Sequence, residues 1–308
     1  VQVAAYLDGK LVIDTWAGLA DEVSQSPVDG GTLFTAFSLS KGITATCIHI
    51  LADRGFLDYD APIANYWPEF AARGKSRATI RHALTHRVGI PQDPPAFDID
   101  MMCDWDAVCQ AVAGLEPLWE PGTRIRYHTL TYGWILGEII RRVDGRSIKQ
   151  FLQEEVCQPL GITDLYFGAP PEAERRIATL KNTPGLPELL SRMGMPPNHP
   201  LRDSAATFNR PEVRRAIIPG AGAIVNARSL ARHYAMLAGS GVLNGVRLLN
   251  PERIAIAGAL QPEEPDMIDF RWWTAHGLGY TLGGGSGPTK GLPHALGYEG
   301  VGTIGFAD

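Results

Sequence analysis

Residues 37–55, from Phe37 to Gly55, read FSLSKGITATCIHILADRG. Leu39, Ile43, Cys47, Ile50 and Leu51 recur on or near one face at helical spacing, and Gly55 stands where a helix would stop. The stretch therefore predicts a long helix over residues 38–54. Its first turn carries Ser38-Leu39-Ser40-Lys41, an S-x-x-K. An i to i+3 separation puts the Ser38 hydroxyl and the Lys41 amine on one helical face, and the unbonded N–H groups of the first turn favour developing negative charge. This geometry suits a nucleophile with its base. Lys41 must be neutral for that role, which burial beside other donors achieves and exposure to water does not. No other serine of the chain has a lysine three residues on.

Working outward, residues 1–18 alternate apolar and polar side chains around Asp8-Gly9, the pattern of a β-hairpin. Helical segments are expected at 105–113, 132–143 and 148–156, separated by Pro/Gly loops. Residues 184–200 are rich in Pro, Gly and Met and read as a loop or lid. Short apolar runs at 223–226, 277–282 and 301–307 read as strands, with a helix at 227–237 among them. The order strands, helices, strands predicts an α+β protein: a discontinuous sheet domain from 1–57 and 210–308, with a mainly helical subdomain at 58–209.

Composition narrows the function classes. The 308 residues include 45% hydrophobic and 20% charged side chains, with 34 Gly and 23 Pro in no repeat, which describes a globular chain. A net charge of −5 supplies no broad cationic field for nucleic acid. No apolar run approaches the roughly 18 to 20 residues of a membrane span. Cys47, Cys103, Cys109 and Cys157 form no C-x-x-C, so a zinc site and a dense disulfide framework are not indicated, and a reduced, cytoplasmic setting is expected.

A Ser/Lys pair transferring acyl groups needs a third group to pass the proton on, and a phenol beside a cation serves. Tyr127, after the Pro121-Gly122 turn and before a predicted helix, is the candidate. His82 and His86 are spaced i, i+4, but no H-E-x-x-H accompanies them, so core or capping roles are expected over metal binding. The chain has no G-x-S-x-G nucleophile elbow, and the run Gly283–Gly287 lacks the ending of a phosphate loop. Trp272 and Trp273 are candidates for an acyl pocket or for simple packing.

The helix 37–55 with its S-x-x-K, the segment 119–142, the stretch from Val143-Asp144-Gly145 through Pro159-Leu160-Gly161-Ile162, and Arg81–His86, Phe208–Arg214 and Gly305–Asp308 together resemble family VIII carboxylesterases. These are serine hydrolases related to class C β-lactamases and penicillin-binding proteins. The resemblance implies a β-lactamase/transpeptidase-like fold, an antiparallel sheet flanked by helices plus a helical subdomain, with the active site between them. It implies Ser38 as nucleophile, Lys41 and Tyr127 as the acid/base pair, and no metal or organic cofactor. A third motif aligns at Tyr298-Glu299-Gly300, where β-lactamases carry K-T-G; Lys290-Gly291 and His294 lie nearby without forming one. The oxyanion hole would then use the backbone N–H groups of Ser38 and Val301. Thr129, Tyr298 and Gly300 would contact substrate. Thr129 stands where β-lactamases carry an asparagine, which points toward a small-molecule ester and away from a lactam. Family members extend further at both ends, so native segments beyond residues 1 and 308 are expected. The alternatives on this scaffold are β-lactam or D-amino-acid peptide hydrolysis, acyl transfer, or a binder or sensor without turnover.

Overall fold

In a computed structural model of the chain, residues 1–192, 195–196, 199–261, 277–282, 292 and 295–308 are described. Trp272, Trp273, Gly283–Gly287, Lys290, Gly291 and His294 lie outside them. The chain opens with the expected hairpin, β1 (Gln2–Leu7) against β2 (Lys10–Trp16). Asp8 and Gly9 both take positive φ, 49° and 73°, the two-residue turn whose twist matches its strands. β1 packs on α5 (Ala227–Ala238). The Asn226 side chain caps that helix by accepting from Ser229 N–H at 2.8 Å.

Helix α1 (Ser40–Asp53) is the central element, preceded by a 3₁₀ turn at Phe37–Leu39. Every residue from Ser40 to Ala52 is buried, so the amphipathic face expected at 38–54 is in fact a helix enclosed on all sides. Gly55 follows it at positive φ. Two three-stranded antiparallel sheets flank its start. In one, β5 (Ala223–Val225) runs between β3 (Phe34–Thr35) and β4 (Leu165–Phe167). In the other, β7 (Leu296–Gly300) lies between β6 (Thr281–Leu282) and β8 (Thr303–Ala307), with Tyr298 opposite Gly305. Thus β4, from the mainly helical stretch, joins a sheet whose other strands come from outside it.

Between these sheets' contributions lie α2 (Ile80–Leu84), α3 (Trp105–Gly114) and α4 (Thr131–Asp144), among shorter helical turns. The core joins Leu39, Ile43 and Ile48 of the α1 region to Trp134, Ile135 and Ile139 of α4. Removing such side chains from water supplies the largest favourable contribution to folding.

Three further expectations are corrected. Residues 184–200 contain a helix, Leu186–Arg192, with Pro187 in its first turn, where a missing N–H costs nothing. Of 277–282, only Thr281–Leu282 pairs as strand. The preceding backbone is engaged elsewhere: Leu278 N–H donates to Ala257 O, and Leu278 O lies 2.9 Å from His49 Nε2. The helix expected at 148–156 is α-helical only at Ile148–Leu152, passes through a π-helical turn at Gln153–Cys157, and continues to Leu160.

Candidate active site

Ser38 sits in the 3₁₀ turn, one residue after Phe37, whose φ of 44° is unusual for a bulky side chain. Several bonds hold this turn. Ser40 Oγ donates to Phe37 O and accepts from Ala223 N–H at 2.9 Å, while Ala36 N–H donates to Ala223 O at 2.8 Å. The second serine of the motif is therefore spent on anchoring the turn to β5. Phe37 packs edge-on against Phe208, with ring centroids 5.1 Å apart.

Lys41 is fully buried. Its Nζ lies 3.4 Å from Ser38 Oγ and donates to Gly220 O at 2.6 Å. Burial holds the amine well below the usual lysine range. The carbonyl it meets is delivered by close packing. A Cβ on Gly133 of α4 would meet Gly220 N at 2.0 Å, so only glycine lets residues 219–220 reach α1. Thr44 Oγ1 fixes the same segment by donating to Pro219 O at 3.0 Å.

Tyr127 brings its ring to within 4.7 Å of Lys41 Nζ, measured to the ring centroid. Burial pushes its phenol up to about 12, against hydrogen bonds with Ser38 and Tyr298 that favour the anion. Ser38, Lys41 and Tyr127 thus converge, with an amine held toward its neutral form beside a hydroxyl and a phenol. Such an arrangement moves protons between an attacking oxygen and a departing one.

The strand β7 carries the third motif to this place. A Cβ on Gly300 would meet Ala36 O at 2.5 Å, Thr303 Oγ1 at 2.7 Å and Leu39 N at 3.1 Å, so Gly300 lies against the turn that holds Ser38. Thr303 Oγ1 donates to Ala36 O at 2.8 Å and ties the hairpin there. Val301 occupies the turn between β7 and β8, with its side chain 64% exposed. Tyr298 is 3% exposed. Thr129 is half-buried, with its carbonyl packed toward Gly220.

His82 is held in a capping box with Thr79 at the start of α2. His86 approaches Tyr298, Nε2 to Oη 3.3 Å. Sequence reading missed Ser40, Gly133, Gly220 and Thr303. For Gly220, the run Pro219-Gly220-Ala221-Gly222 was a signal of close backbone approach; the others had no signal in the linear pattern.

Comparison with known proteins places this geometry in context. A family model described as Beta-lactamase matches residues 1–308. The chain is 34% identical over 265 residues to the esterase/beta-lactamase LipL of Mycobacterium tuberculosis (strain ATCC 25618 / H37Rv), an alignment covering 82% of this chain and 61% of that protein. Less than two thirds of that relative is therefore spanned. Among solved structures, a family VIII carboxylesterase superposes with a TM-score of 0.87 at 34% identity, covering 100% of this chain and 82% of the other. A penicillin-binding protein homolog from Caulobacter crescentus gives 0.83 at 33% identity, with the same coverage of 100% and 82%. The fold is of the β-lactamase/transpeptidase type, helices with antiparallel sheets.

Proposed function

The chain belongs to the beta-lactamase family, and from that membership we propose that it is a serine hydrolase cleaving small carboxylic esters through an acyl-enzyme intermediate. The observation that carries the reading is Lys41 Nζ, fully buried, depressed well below the lysine range and 3.4 Å from Ser38 Oγ. Ser38 Oγ attacks the ester carbonyl carbon as Lys41, aided by Tyr127, takes its proton. The carbonyl oxygen becomes an oxyanion facing the backbone N–H groups of Ser38 and Val301. Tyr127 then protonates the departing alkoxide as the C–O bond breaks. Water enters, gives up a proton by the same route, and releases the acid with Ser38 restored. This chemistry draws on side chains and backbone alone.

The choice of ester over lactam rests on the walls. Tyr298 stands where β-lactamases carry the lysine of K-T-G, and Thr129 where they carry an asparagine. A substrate carboxylate thus loses a cationic anchor, and a lactam side chain loses an amide partner. The names of the relatives, esterase/beta-lactamase and penicillin-binding protein homolog, support lactam hydrolysis as the second reading.

One assay set separates the readings: short-chain p-nitrophenyl esters and a chromogenic cephalosporin, with the native chain and Ser38→Ala, plus intact mass after a serine-directed phosphonate. Ester turnover lost in Ser38→Ala is the expected result. Cephalosporin turnover at comparable efficiency promotes the second reading. A chain that takes the phosphonate on Ser38 yet turns over neither substrate is a binder or sensor.

A further inference from the structure

Tyr127 is held by neither a helix nor a strand. Residues 124–128 form no such element, so the backbone bonds that place the phenol have to come from elsewhere. Two imidazoles supply them. The peptide group before Tyr127 is fixed through its carbonyl, as Arg126 O accepts from His128 Nδ1 at 2.7 Å. The peptide group after Tyr127 is fixed through its N–H, as His128 N–H donates to His86 Nδ1 at 3.2 Å. Arg126 N–H donates to His86 O, also at 3.2 Å.

The state of the His128 ring follows from its partners. A carbonyl only accepts and a backbone N–H only donates. Nδ1 therefore carries the proton, and the Nε2 lone pair accepts from Ile90 N–H at 3.1 Å. The ring is 1% exposed, and burial pushes the imidazole down to about 4, which keeps this one neutral tautomer at neutral pH. Ile90 is fixed in turn, since its carbonyl accepts from Thr131 Oγ1 at 2.9 Å at the start of α4. The ring is thus tied to the core on one side and to the backbone before Tyr127 on the other.

We propose that His128 is a positioning residue that, together with Nδ1 of His86, sets φ and ψ of Tyr127 and so aims the phenol at the departing alkoxide, a role that rests on the ester-hydrolase reading above. A peptide group is a rigid plane, so one bond to each of the two planes flanking Tyr127 restrains both rotations at its Cα. The phenol oxygen is the side-chain atom farthest from that Cα, and a small rotation there becomes a large displacement where the proton leaves. Misplacement by about 1 Å costs on the order of 10²-fold in rate. The His86 ring also packs on the Tyr127 ring, centroids 4.7 Å apart, so the imidazole that holds the peptide backs the side chain as well.

The two ring bonds of His128 hold different things, and this separates positioning from packing. The Nδ1 bond spans Tyr127; the Nε2 bond fastens the ring to Ile90. The test measures kcat/KM of the full chain for ethyl butanoate, whose alkoxide must be protonated as it departs, and for p-nitrophenyl butanoate, whose leaving group departs as the anion. Urea midpoints are read on the same preparations. His128→Asn keeps an N–H at the Nδ1 position, His128→Gln keeps an acceptor at the Nε2 position, and His128→Leu keeps neither. In His128→Leu and His128→Gln, kcat/KM for ethyl butanoate falls about 100-fold. The fall for p-nitrophenyl butanoate is about tenfold smaller, because that ester needs no acid for its leaving group. His128→Asn recovers most of the loss, although its urea midpoint matches that of His128→Gln, each lacking one bond. On the other peptide group, His86→Asn puts an amide oxygen at the Nδ1 position and tolerates the φ of 61° found there, so it too recovers most of what His86→Leu loses.

His128→Asn no more active than His128→Leu, His128→Gln as active as His128→Asn, or equal falls on both esters overturn the role. If His128→Leu does not fold, His128→Asn against His128→Gln decides, and the two His86 variants repeat the comparison. A native chain that hydrolyses neither ester overturns the ester-hydrolase reading and this role with it. That failure is seen before any substitution, whereas failure of the positioning role is seen only among variants of an active chain.

Discussion

Helix α1 keeps every side chain from Ser40 to Ala52 out of water, whereas the hairpin β7–β8 that meets its amino end leaves Val301 64%, Ile304 40% and Phe306 42% exposed. Both touch the turn that holds Ser38, but they act on it by different physics. The helix side sets proton affinity. Lys41 is held toward its neutral form because burial penalises the cation. The hairpin side sets position, through Gly300 packed on Ala36 O and Thr303 bonded to the same carbonyl. Changes in the helix wall should therefore reach the chemistry directly, and changes in the hairpin should reach it by displacing the turn.

Lys41→Met is the strongest test of this division. It keeps an apolar stem in a buried slot and removes the base, so kcat for a p-nitrophenyl ester should fall on the order of 10³-fold. Circular dichroism and the urea midpoint should show a folded chain. A variant that retains turnover would place the base elsewhere.

The pH profile sharpens the same point. The neutral amine is the active form, and its proton affinity is depressed, so kcat/KM should rise with pH through a transition well below the ordinary lysine range of about 10.4. Below that transition the amine is protonated and activity is lost. A profile still climbing at the ordinary value would mean a solvated Lys41.

On the hairpin side, Gly300→Ala drives a methyl group into Ala36 O, Thr303 Oγ1 and Leu39 N. Overpacking of this kind costs on the order of 1–3 kcal/mol. Displacing a backbone oxyanion donor should lower kcat on the order of 10²-fold. Both are read from urea unfolding and steady-state rates on one preparation.

The smallest change is Thr303→Val, which removes the bond to Ala36 O while keeping the shape. About 1 kcal/mol of stability should be lost, with at most a several-fold fall in kcat. A loss as large as that of Gly300→Ala would show that the hydroxyl, more than the close packing, holds the turn.

Much of this architecture was legible beforehand. Asp8-Gly9 announced its hairpin through two positions that accept positive φ, and the helix at 105–114 showed its spacing. The Ser38 and Lys41 pairing was legible because three residues on a helical turn bring side chains together whatever surrounds them. Residues 277–282 misled because a short apolar run with Gly boundaries marks an extended segment without saying which partner takes its N–H and C=O groups; His49 and Ala257 take those of Leu278. Residues 184–200 misled because richness in Pro, Gly and Met reads as a loop, yet a proline in a first turn, as Pro187 is, is compatible with a helix. Gly133, Gly220 and Ser40 were silent, since their work is a close approach or an anchor between segments far apart in the chain.

The linear order of residues by itself determined the local pairing of hydroxyl and amine, the hairpin, the principal helices and the likeness to a hydrolase family, because each depends on neighbours within a few positions or on ordered motifs. Tertiary structure alone decided that Lys41 loses its water, that Gly220 offers it a carbonyl, and that the Tyr127 ring comes to lie beside its amine. Desolvation and hydrogen-bond direction depend on what surrounds a group in three dimensions, and no spacing along the chain encodes that.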